Sequence, residues 1–235
     1  MSESKEETKD YEILEDDYAQ YDLSFKIIVI GNSGVGKSCF TNKAIKNVFK
    51  ENHEATIGFE FLTLNIIYKS KVIKLQIWDT CGQELYRSLI SNFYRSTSLA
   101  IVVYAVNSLE SFQDLEMWFT ELRTYSEPDI KIVLVGNKTD LESDRVVTTE
   151  QGEEFAKANN VYKFIEASAK EGINTQSTFI DIAKILFEES NKFKNDDTNS
   201  SSKGKTKKLG KENIYESEER QNEYDENNKK KRCCG

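Results

Sequence analysis

Residues 31–38 read Gly31-Asn32-Ser33-Gly34-Val35-Gly36-Lys37-Ser38, between an apolar run at 25–30 and a segment with helical spacing. The pattern is G-x-x-x-x-G-K-S, whose glycines let backbone N–H groups surround a phosphate while the following helix adds its positive N-terminal end. We predict that Lys37 reaches the β- and γ-phosphates of a nucleotide and that the Ser38 hydroxyl binds Mg²⁺. The loop residues predicted to contact the nucleotide are Ser33, Gly34, Val35, Gly36, Lys37, Ser38 and Cys39. The alternative is a glycine-rich turn that only joins strand to helix, and the strand and helix on either side argue against it.

Further apolar runs of strand length alternate with helical spacings along the chain. Together with 25–30 they predict strands at 61–68, 72–78, 100–106, 130–135 and 161–165. Runs that are apolar throughout are typical of parallel strands buried on both faces. In the runs at 61–68 and 72–78 apolar and polar residues alternate, which predicts a hairpin. We therefore predict a doubly wound α/β fold, with a mostly parallel six-stranded sheet, one antiparallel edge strand and helices on both faces. Thr148 and Gln151 have capping-box spacing before a helix predicted over about 149–159.

The distribution of charge divides the 235 residues into three regions. Residues 1–24 carry 2 basic and 9 acidic side chains, residues 25–190 carry 18 and 22, and residues 191–235 carry 12 and 9. The two end regions are also poor in apolar residues, so neither buries enough surface to offset the entropy of ordering it. We predict an acidic, disordered extension at 1–24, a folded domain at 25–190 and a flexible tail at 191–235.

The composition excludes several classes of protein. No apolar run approaches about 18 residues, so no transmembrane helix is predicted. The acidic start of the chain has no apolar stretch and does not fit a secretory signal. Four cysteines, two of them adjacent at the end of the chain, do not make a disulfide framework, which favours a reducing cytoplasm. The formal charge of −8 argues against nucleic acid as a partner.

A second polar group follows the strand predicted at 72–78. It reads Trp78-Asp79-Thr80-Cys81-Gly82-Gln83-Glu84, and in a doubly wound fold ligands bind beyond the carboxyl ends of the strands. Asp79 is suited to hold Mg²⁺ through water, and Gly82 offers a backbone N–H to a terminal phosphate without a Cβ in the way. Gln83 is predicted to orient a water for in-line attack on that phosphate. A plain strand-end turn is the alternative, and the nearby phosphate loop argues against it.

A third group indicates which base the nucleotide carries. Asn137-Lys138-Thr139-Asp140 follows the fifth predicted strand and Ser168-Ala169-Lys170 follows the sixth. A fixed carboxylate at Asp140 accepts hydrogen bonds from the N1–H and 2-amino groups of guanine, and adenine has neither donor. The residues predicted to bind a guanine nucleotide here are Asn137, Lys138, Asp140, Ser168, Ala169 and Lys170.

These groups, in this order, resemble those of the Ras-like small GTPases over about residues 25–190, and most of all those of the Rab type. Thr56-Ile57-Gly58-Phe59-Glu60-Phe61 is similar to the Rab switch I segment, and residues 74–84 are similar to the Rab strand and switch II. The resemblance implies a P-loop NTPase fold, a Phe49 that stacks on the base and a Thr56 that binds Mg²⁺. It also places Phe61, Trp78 and Phe93 at the positions of the family's surface aromatic triad.

The end of the chain reads Lys229-Lys230-Lys231-Arg232-Cys233-Cys234-Gly235 and is similar to a Rab prenylation pattern. One lipid chain binds a membrane marginally, whereas two chains beside basic residues anchor a protein stably. The resemblance therefore implies prenylation of Cys233 and Cys234. It implies a lipid-anchored protein on the cytoplasmic face of an intracellular membrane, cycling with the cytosol. The alternative is a solvated, charged tail with two unmodified thiols.

Together the residues and the resemblance imply a GTPase switch that binds GTP or GDP with Mg²⁺, hydrolyses GTP slowly and regulates vesicle and membrane trafficking. Its catalytic residues are predicted to be Gln83 and Lys37. The implied partners are an exchange factor, a GTPase-activating protein, a GDP-dissociation inhibitor, a prenylation chaperone and trafficking effectors, and the domain is expected to be monomeric. One alternative is a GTP-binding scaffold with little hydrolysis, because Cys81 and Leu85 depart from the residues usual in the family. Another is an ATP-using kinase, which leaves Asp140 without a role.

Overall fold

The structure is a computed structural model that describes residues 10–14, 20–51, 56, 58–81 and 93–199, with side chains as far as Lys192. The chain divides into two units, Met1–Lys192 and Phe193–Gly235, and the sheet belongs to the first. The described strands are β1 (Tyr11–Leu14), β2 (Leu23–Ile30), β3 (Phe59–Tyr68), β4 (Lys71–Thr80), β5 (Leu99–Ala105), β6 (Lys131–Asn137) and β7 (Lys163–Glu166). The described α-helices are α1 (Lys37–Lys46), α2 (Leu109–Gln113), α3 (Leu115–Tyr125), α4 (Thr149–Ala158) and α5 (Thr175–Asn199). None of the helices in these ranges is both long and apolar enough to cross a membrane.

The strands form one sheet in the order β1-β3-β4-β2-β5-β6-β7. Neighbouring strands from β4 to β7 pair in parallel, and β3 is antiparallel to both of its neighbours, β1 and β4. Successive residues of β2 point to opposite faces, so Ile27 joins the core under α1 and α5 while Ile28 joins the core under α3 and α4. Helices therefore cover both faces, and the predicted doubly wound fold is confirmed.

The predicted strands and the capping box agree closely with the structure. β3 and β4 form the expected hairpin, with Lys69 and Ser70 in its turn at positive φ. α4 begins after Thr148, whose side chain accepts from the Gln151 N–H, while the Gln151 side chain accepts from the Thr148 N–H. Both reciprocal bonds of the predicted capping box are present, so the sequence located this helix start correctly.

Within the described residues the sheet has seven strands where six were predicted, and the extra strand lies in the region 1–24 that was predicted to be a disordered extension. β1 pairs with β3 in a register that runs from Tyr11 opposite Tyr68 to Leu14 opposite Asn65. As a result β1 forms the edge of the sheet, and the antiparallel β3 lies inside it. A bare edge strand exposes unpaired backbone groups to other chains, so β1 also protects part of β3.

Aromatic and ionic contacts bind β1 to helix α5. The Lys184 Nζ lies 5.0 Å from the ring centroid of Tyr11 and 5.4 Å from that of Tyr68. It also pairs with the Asp10 carboxylate at 2.5 Å, which lowers the pKa of Asp10. The half-buried Tyr11 ring packs against the core that lies under α1 and α5.

The substitution Tyr11→Ala should lower the free energy of unfolding by about 1–2 kcal/mol, because it removes buried apolar area and a cation–π contact. Urea unfolding followed by circular dichroism measures the change. The matched control is Glu12→Ala on the same strand, where the side chain is exposed and the expected change is within about 0.5 kcal/mol. Equal stability of Tyr11→Ala and wild type would show that the Tyr11 side chain does not stabilise the fold.

Candidate functional site

A cavity of about 390 Å³ opens where the parallel strands end. β2, β4, β6 and β7 all finish at this edge of the sheet, so the loops that follow them converge, as the doubly wound fold requires. The cavity is lined by Ser33, Gly34, Gly36, Lys37, Ser38, Cys39, Phe49, Lys50, Glu51, Thr56, Thr80, Asn137, Lys138, Asp140, Leu141, Ala169 and Lys170. The structure thus brings together most of the residues that the sequence predicted to contact a nucleotide.

The loop between β2 and α1 needs glycine at two positions. A Cβ on Gly31 would lie 2.1 Å from the carbonyl oxygen of Val103, so only glycine lets the loop pass this close to β5. Gly36 has φ of +92°, and a Cβ there would lie 2.5 Å from the Asn137 side-chain nitrogen. The tight turn places the N-terminus of α1 at the cavity, where its unpaired N–H groups and dipole favour an anion.

Lys37 is the first residue of α1, and its ammonium group is buried in the loop. Its Nζ donates to the carbonyl oxygens of Gly31 at 2.8 Å and Asn32 at 2.7 Å. Burial lowers the pKa of Lys37 to about 8, and the Asp79 carboxylate opposes that fall. The two carbonyl oxygens hold the lysine at the wall of the cavity, with its positive charge beside the α1 N-terminus.

Three oxygen-bearing side chains meet beside Lys37. The Ser38 Oγ and the Thr56 Oγ1 lie 2.7 Å apart, although they come from α1 and from the segment before β3. Asp79 is fully buried at the end of β4, and no described donor is in regular hydrogen-bonding geometry with its carboxylate oxygens, although the Ser38 hydroxyl lies close to them. Burial raises the pKa of Asp79 to about 6, while the nearby Ser38 hydroxyl and Lys37 ammonium oppose the rise.

This group of oxygens fits a small divalent cation. A buried carboxylate without a hydrogen-bond donor is costly on its own, and a cation held directly or through water compensates it. Hydroxyl, carboxylate and water oxygens are the ligands that Mg²⁺ uses, commonly with several of its waters retained. The described residues contain no group of three or more His, Cys, Asp or Glu side chains that could hold a metal, so a cation here would depend on the two hydroxyls and one carboxylate.

The other end of the cavity is built around the buried Asn137 at the end of β6. Its Nδ2 donates to the Val35 carbonyl at 2.9 Å, and its Oδ1 accepts from the Ala169 N–H at 3.2 Å. One side chain therefore fixes the phosphate loop and the loop after β7 relative to each other. Val35 lies in the core and contributes only its backbone to this link.

Asp140 lines the same end of the cavity and is oriented by Ser168. The Ser168 Oγ donates to the Asp140 Oδ1 at 2.6 Å and accepts from the Glu171 N–H at 3.0 Å. Ser168 is fully buried and does not line the cavity, so its role in the structure is to hold the carboxylate. An ionised carboxylate fixed in this way presents an acceptor to two neighbouring N–H donors of a ligand.

An ion pair that no local sequence pattern predicted stabilises the loop that carries Asp140. The Arg145 Nη1 donates to the Glu166 Oε1 at 2.6 Å and to the Val147 carbonyl at 3.0 Å, and its Nε donates to Glu142. These contacts raise the pKa of Arg145 above its usual range, and the hydrogen bond that Arg145 donates to Glu166 is the main cause. Lys50, Glu51, Thr80 and Leu141 also line the cavity but were not predicted as site residues. Thr80 lies within the group at 78–84, whereas the other three belong to no recognisable local pattern.

A surface cluster of aromatic side chains lies at the start of β3 and the end of β4. The Trp78 ring centroid is 5.1 Å from that of Phe61 and 5.1 Å from that of Phe93. Phe59 completes the cluster, 4.8 Å from Phe93, and is 48% exposed, while Phe61 is 46% exposed. The predicted triad is therefore a group of four rings, two of which are open to solvent.

Some of the predicted site residues lie outside the described residues. These are Gly82, Gln83, Cys233 and Cys234.

Comparison with known proteins gives matches over the same part of the chain. The model of the Ras family matches residues 26–188. The GTP-binding protein ypt3 of Schizosaccharomyces pombe is 44% identical over 168 residues, which are 72% of this chain and 78% of that protein. The Ras-related protein Rab-30 of Homo sapiens is 41% identical over 169 residues, which are 72% of this chain and 83% of that protein. The Ras-related protein RABA1c of Arabidopsis thaliana is 43% identical over 163 residues, which are 69% of this chain and 75% of that protein.

Proposed function

The chain belongs to the Ras family as a Rab-type small GTPase, an enzyme that hydrolyses GTP and acts in vesicle trafficking, and on this premise we propose which residues carry its chemistry. GTPases of this family bind GTP or GDP, typically with Mg²⁺. The observation that carries the proposal is the cavity itself, which has a phosphate-type loop at one end and a fixed acceptor carboxylate at the other.

We propose that the loop from Ser33 to Cys39 binds the phosphates of the nucleotide. Its support is the α1 N-terminus at the cavity and the buried Lys37 ammonium beside it. Lys37 then acts as a catalytic residue that balances the negative charge that develops on the transferred phosphoryl group. Ser38, Thr56 and Asp79 are the residues proposed to hold Mg²⁺, with Asp79 acting through water. When bound, the cation neutralises charge on the phosphate oxygens.

The base is proposed to lie between Phe49 and Lys138, with its edge against Asp140. Both of these side chains line the cavity that Asp140 also lines. The Ser168 hydrogen bond orients the carboxylate, and Ala169 and Lys170 line the same cavity. Asn137 positions both loops and contributes no charge. This assignment makes guanine the base and argues against an ATP-using kinase, for which the held carboxylate has no function.

Hydrolysis is proposed to depend on Gln83, which orients the attacking water, and on the Gly82 N–H at the terminal phosphate. Among the described residues no arginine lines the cavity, so none of these residues offers a guanidinium group to the transition state. We propose that intrinsic turnover is slow and that an activating protein accelerates it. No observation favours the alternative of a scaffold that binds GTP with little hydrolysis.

Gln83→Leu should keep GTP affinity near that of the wild type and reduce the rate of intrinsic hydrolysis about tenfold or more, because positioning of the water is lost while the phosphate loop is intact. Single-turnover hydrolysis of preloaded GTP measures the rate, and fluorescent nucleotide titration measures the affinity. Gln113→Leu is the matched control, since Gln113 is an exposed residue of α2 away from the cavity. Equal hydrolysis rates of Gln83→Leu and wild type would refute the role of Gln83.

The partners and the membrane attachment are also proposals. The exposed Phe59 and Phe61 beside Trp78 support an effector-binding surface, because large apolar side chains grouped in the open mark interaction sites. An exchange factor, an activating protein, a GDP-dissociation inhibitor and a prenylation chaperone complete the proposed cycle. The paired cysteines at the chain end support a lipid anchor on the cytoplasmic face of an intracellular membrane.

A further inference from the structure

The side chain of Asn32 connects the phosphate loop to helix α3 by two hydrogen bonds. The Trp118 Nε1 donates to the Asn32 Oδ1 at 2.8 Å, and the Asn32 Nδ2 donates to the Asp114 Oδ2 at 2.6 Å. Indole N–H is only a donor and an ionised carboxylate is only an acceptor, so the two partners fix which way the amide points. The pairs are 86 and 82 residues apart in the chain, so tertiary packing alone brings them together.

The backbone of the same residue holds the lysine of the loop. The Asn32 carbonyl oxygen accepts from the Lys37 Nζ at 2.7 Å, and the Gly31 carbonyl shares the ammonium at 2.8 Å. A continuous set of contacts therefore runs from α3 through the Asn32 side chain and carbonyl to Lys37. Displacement of Asn32 as a whole would move an acceptor of Lys37 together with the amide that Trp118 and Asp114 hold, so these two side chains resist it.

Trp118 is well suited to act as the fixed end of this connection. Its ring is 2% exposed and packs in the core under α3 and α4, so the indole N–H has a defined position. Asp114 directly precedes α3, and its side chain makes no cap hydrogen bond to that helix. Its carboxylate is therefore turned toward Asn32 rather than toward the helix end.

We propose that Asn32, held by Trp118 and Asp114, is a positioning residue that sets the place of the Lys37 ammonium and so controls how tightly the nucleotide phosphates are held. The proposal rests on the proposed phosphate-binding role of Lys37. Asparagine fits this position because its amide supplies one acceptor and one donor at once. An aspartate would place two carboxylates together, and an alanine would remove both bonds.

The test measures release of a fluorescent GDP analogue from the full chain with Mg²⁺ present, together with the ³¹P chemical shift of the β-phosphate of bound GDP. Asn32→Ala and Trp118→Phe should each speed release about two- to tenfold, the range that follows from losing one or two hydrogen bonds. Both should also shift the ³¹P resonance. Phenylalanine keeps most of the ring packing at position 118, so a change there reports mainly the missing N–H.

The double variant Asn32→Ala/Trp118→Phe should release GDP no faster than the faster single variant, because both changes break the same bond. Asp114→Asn keeps an acceptor for the Asn32 amide and should stay close to wild type, whereas Asp114→Ala removes one of the two bonds and should resemble Trp118→Phe. Lower urea stability in Asn32→Ala and Trp118→Phe, without a change in release rate or ³¹P shift, would show a purely structural role and overturn the inference. Additive effects of the two changes would also overturn it.

Lys37→Met separates this inference from the proposed function. It should speed GDP release more than any of the Asn32, Trp118 or Asp114 variants. If Lys37→Met changes release and the Asn32 and Trp118 variants do not, the positioning role is wrong and the phosphate site stands. If Lys37→Met leaves release unchanged, the phosphate site itself is wrong and the positioning role fails with it.

Discussion

Asp140→Asn should weaken GTP binding about ten- to a hundredfold and create measurable binding of xanthosine triphosphate. The wild-type carboxylate is an acceptor for the N1–H and 2-amino donors of guanine, and a hydrogen bond to a charged group contributes about 1.5–3 kcal/mol. In the variant, the Ser168 hydroxyl still donates to the side-chain oxygen, as it does to the Asp140 Oδ1 at 2.6 Å. The new amide N–H₂ then faces the guanine donors, where a donor meets a donor. Xanthine carries a 2-oxo acceptor in place of the amino group, so the same amide can donate to it.

Competition between unlabelled nucleotides and a fluorescent GDP analogue measures both affinities. Asp144→Asn is the matched control, because it makes the same change at an exposed residue of the same 3₁₀ segment, Thr139–Asp144. That control should keep the wild-type preference for GTP. Unchanged GTP affinity in Asp140→Asn would contradict the assignment of guanine, and stronger ATP binding in the wild type than GTP binding would favour the kinase alternative.

Ser168→Ala separates the carboxylate itself from its orientation. The substitution keeps the Asp140 charge and removes the hydroxyl that holds it. We expect a smaller loss of GTP affinity than in Asp140→Asn, with no gain for xanthine, because the acceptor is still present but less fixed. Both Asp140 and Ser168 were predicted to bind the base, and the difference in GTP affinity between their variants separates the residue that accepts from the base from the residue that orients it.

The strands of the sheet centre were predictable because burial on both faces leaves a continuous apolar run. The residues Leu99–Ala105 are all buried, and the prediction of 100–106 differs from that strand by one residue at each end. The start of α4 was predictable for a local reason, since its capping box involves only residues three apart. Buried central strands and helix caps can therefore be predicted from the sequence, because each depends on residues that are close together in the chain.

β1 was not predictable because its stability comes from elsewhere in the chain. Its four residues include the exposed Glu12 and Ile13, and the segment around them is acidic. The strand is stabilised by its backbone pairing with β3 and by Lys184 on α5. Neither produces a recognisable pattern in the sequence around Tyr11. A short edge strand of this kind is defined by its partners more than by its own residues.

In the candidate site, too, the local motifs were predictable from the sequence, whereas the contacts between distant residues were not. The phosphate loop and the Asp140 motif were recognised from local spacing, and both line one cavity. The bonds that hold them in place, from Asn137 to Val35 and from Trp118 to Asn32, join residues more than 80 positions apart. Trp118 is a buried residue of the core under α3 and α4. Its indole N–H acquires a second role through the fold.

Replacing both Cys233 and Cys234 by serine should leave the protein in the cytosol while it still binds GTP. Each buried CH₂ of a lipid chain contributes about 0.8 kcal/mol, and one chain alone gives only reversible attachment, so stable anchoring needs a second signal. The basic residues 229–232 add on the order of 1 kcal/mol each near an anionic leaflet. The two single variants should therefore be weakly attached, and the double variant should lose membrane attachment almost completely.

Fractionation of cells that express each variant, followed by intact-mass measurement of the wild type, tests the anchor directly. Neutralising residues 229–232 while keeping both cysteines should weaken binding to anionic vesicles, and added salt should reduce the difference from wild type because these charges act within about one Debye length. Binding of a fluorescent GTP analogue to the double variant is the control for folding. If the variant still binds the analogue, its loss from the membrane is not caused by unfolding of the GTPase domain. A wild-type mass with two unmodified C-terminal thiols, or a double variant that still sediments with membranes, would contradict the lipid anchor. In either case the GTP switch would have to reach its membrane through a protein partner, and the aromatic cluster around Trp78 is where such a contact would be sought first.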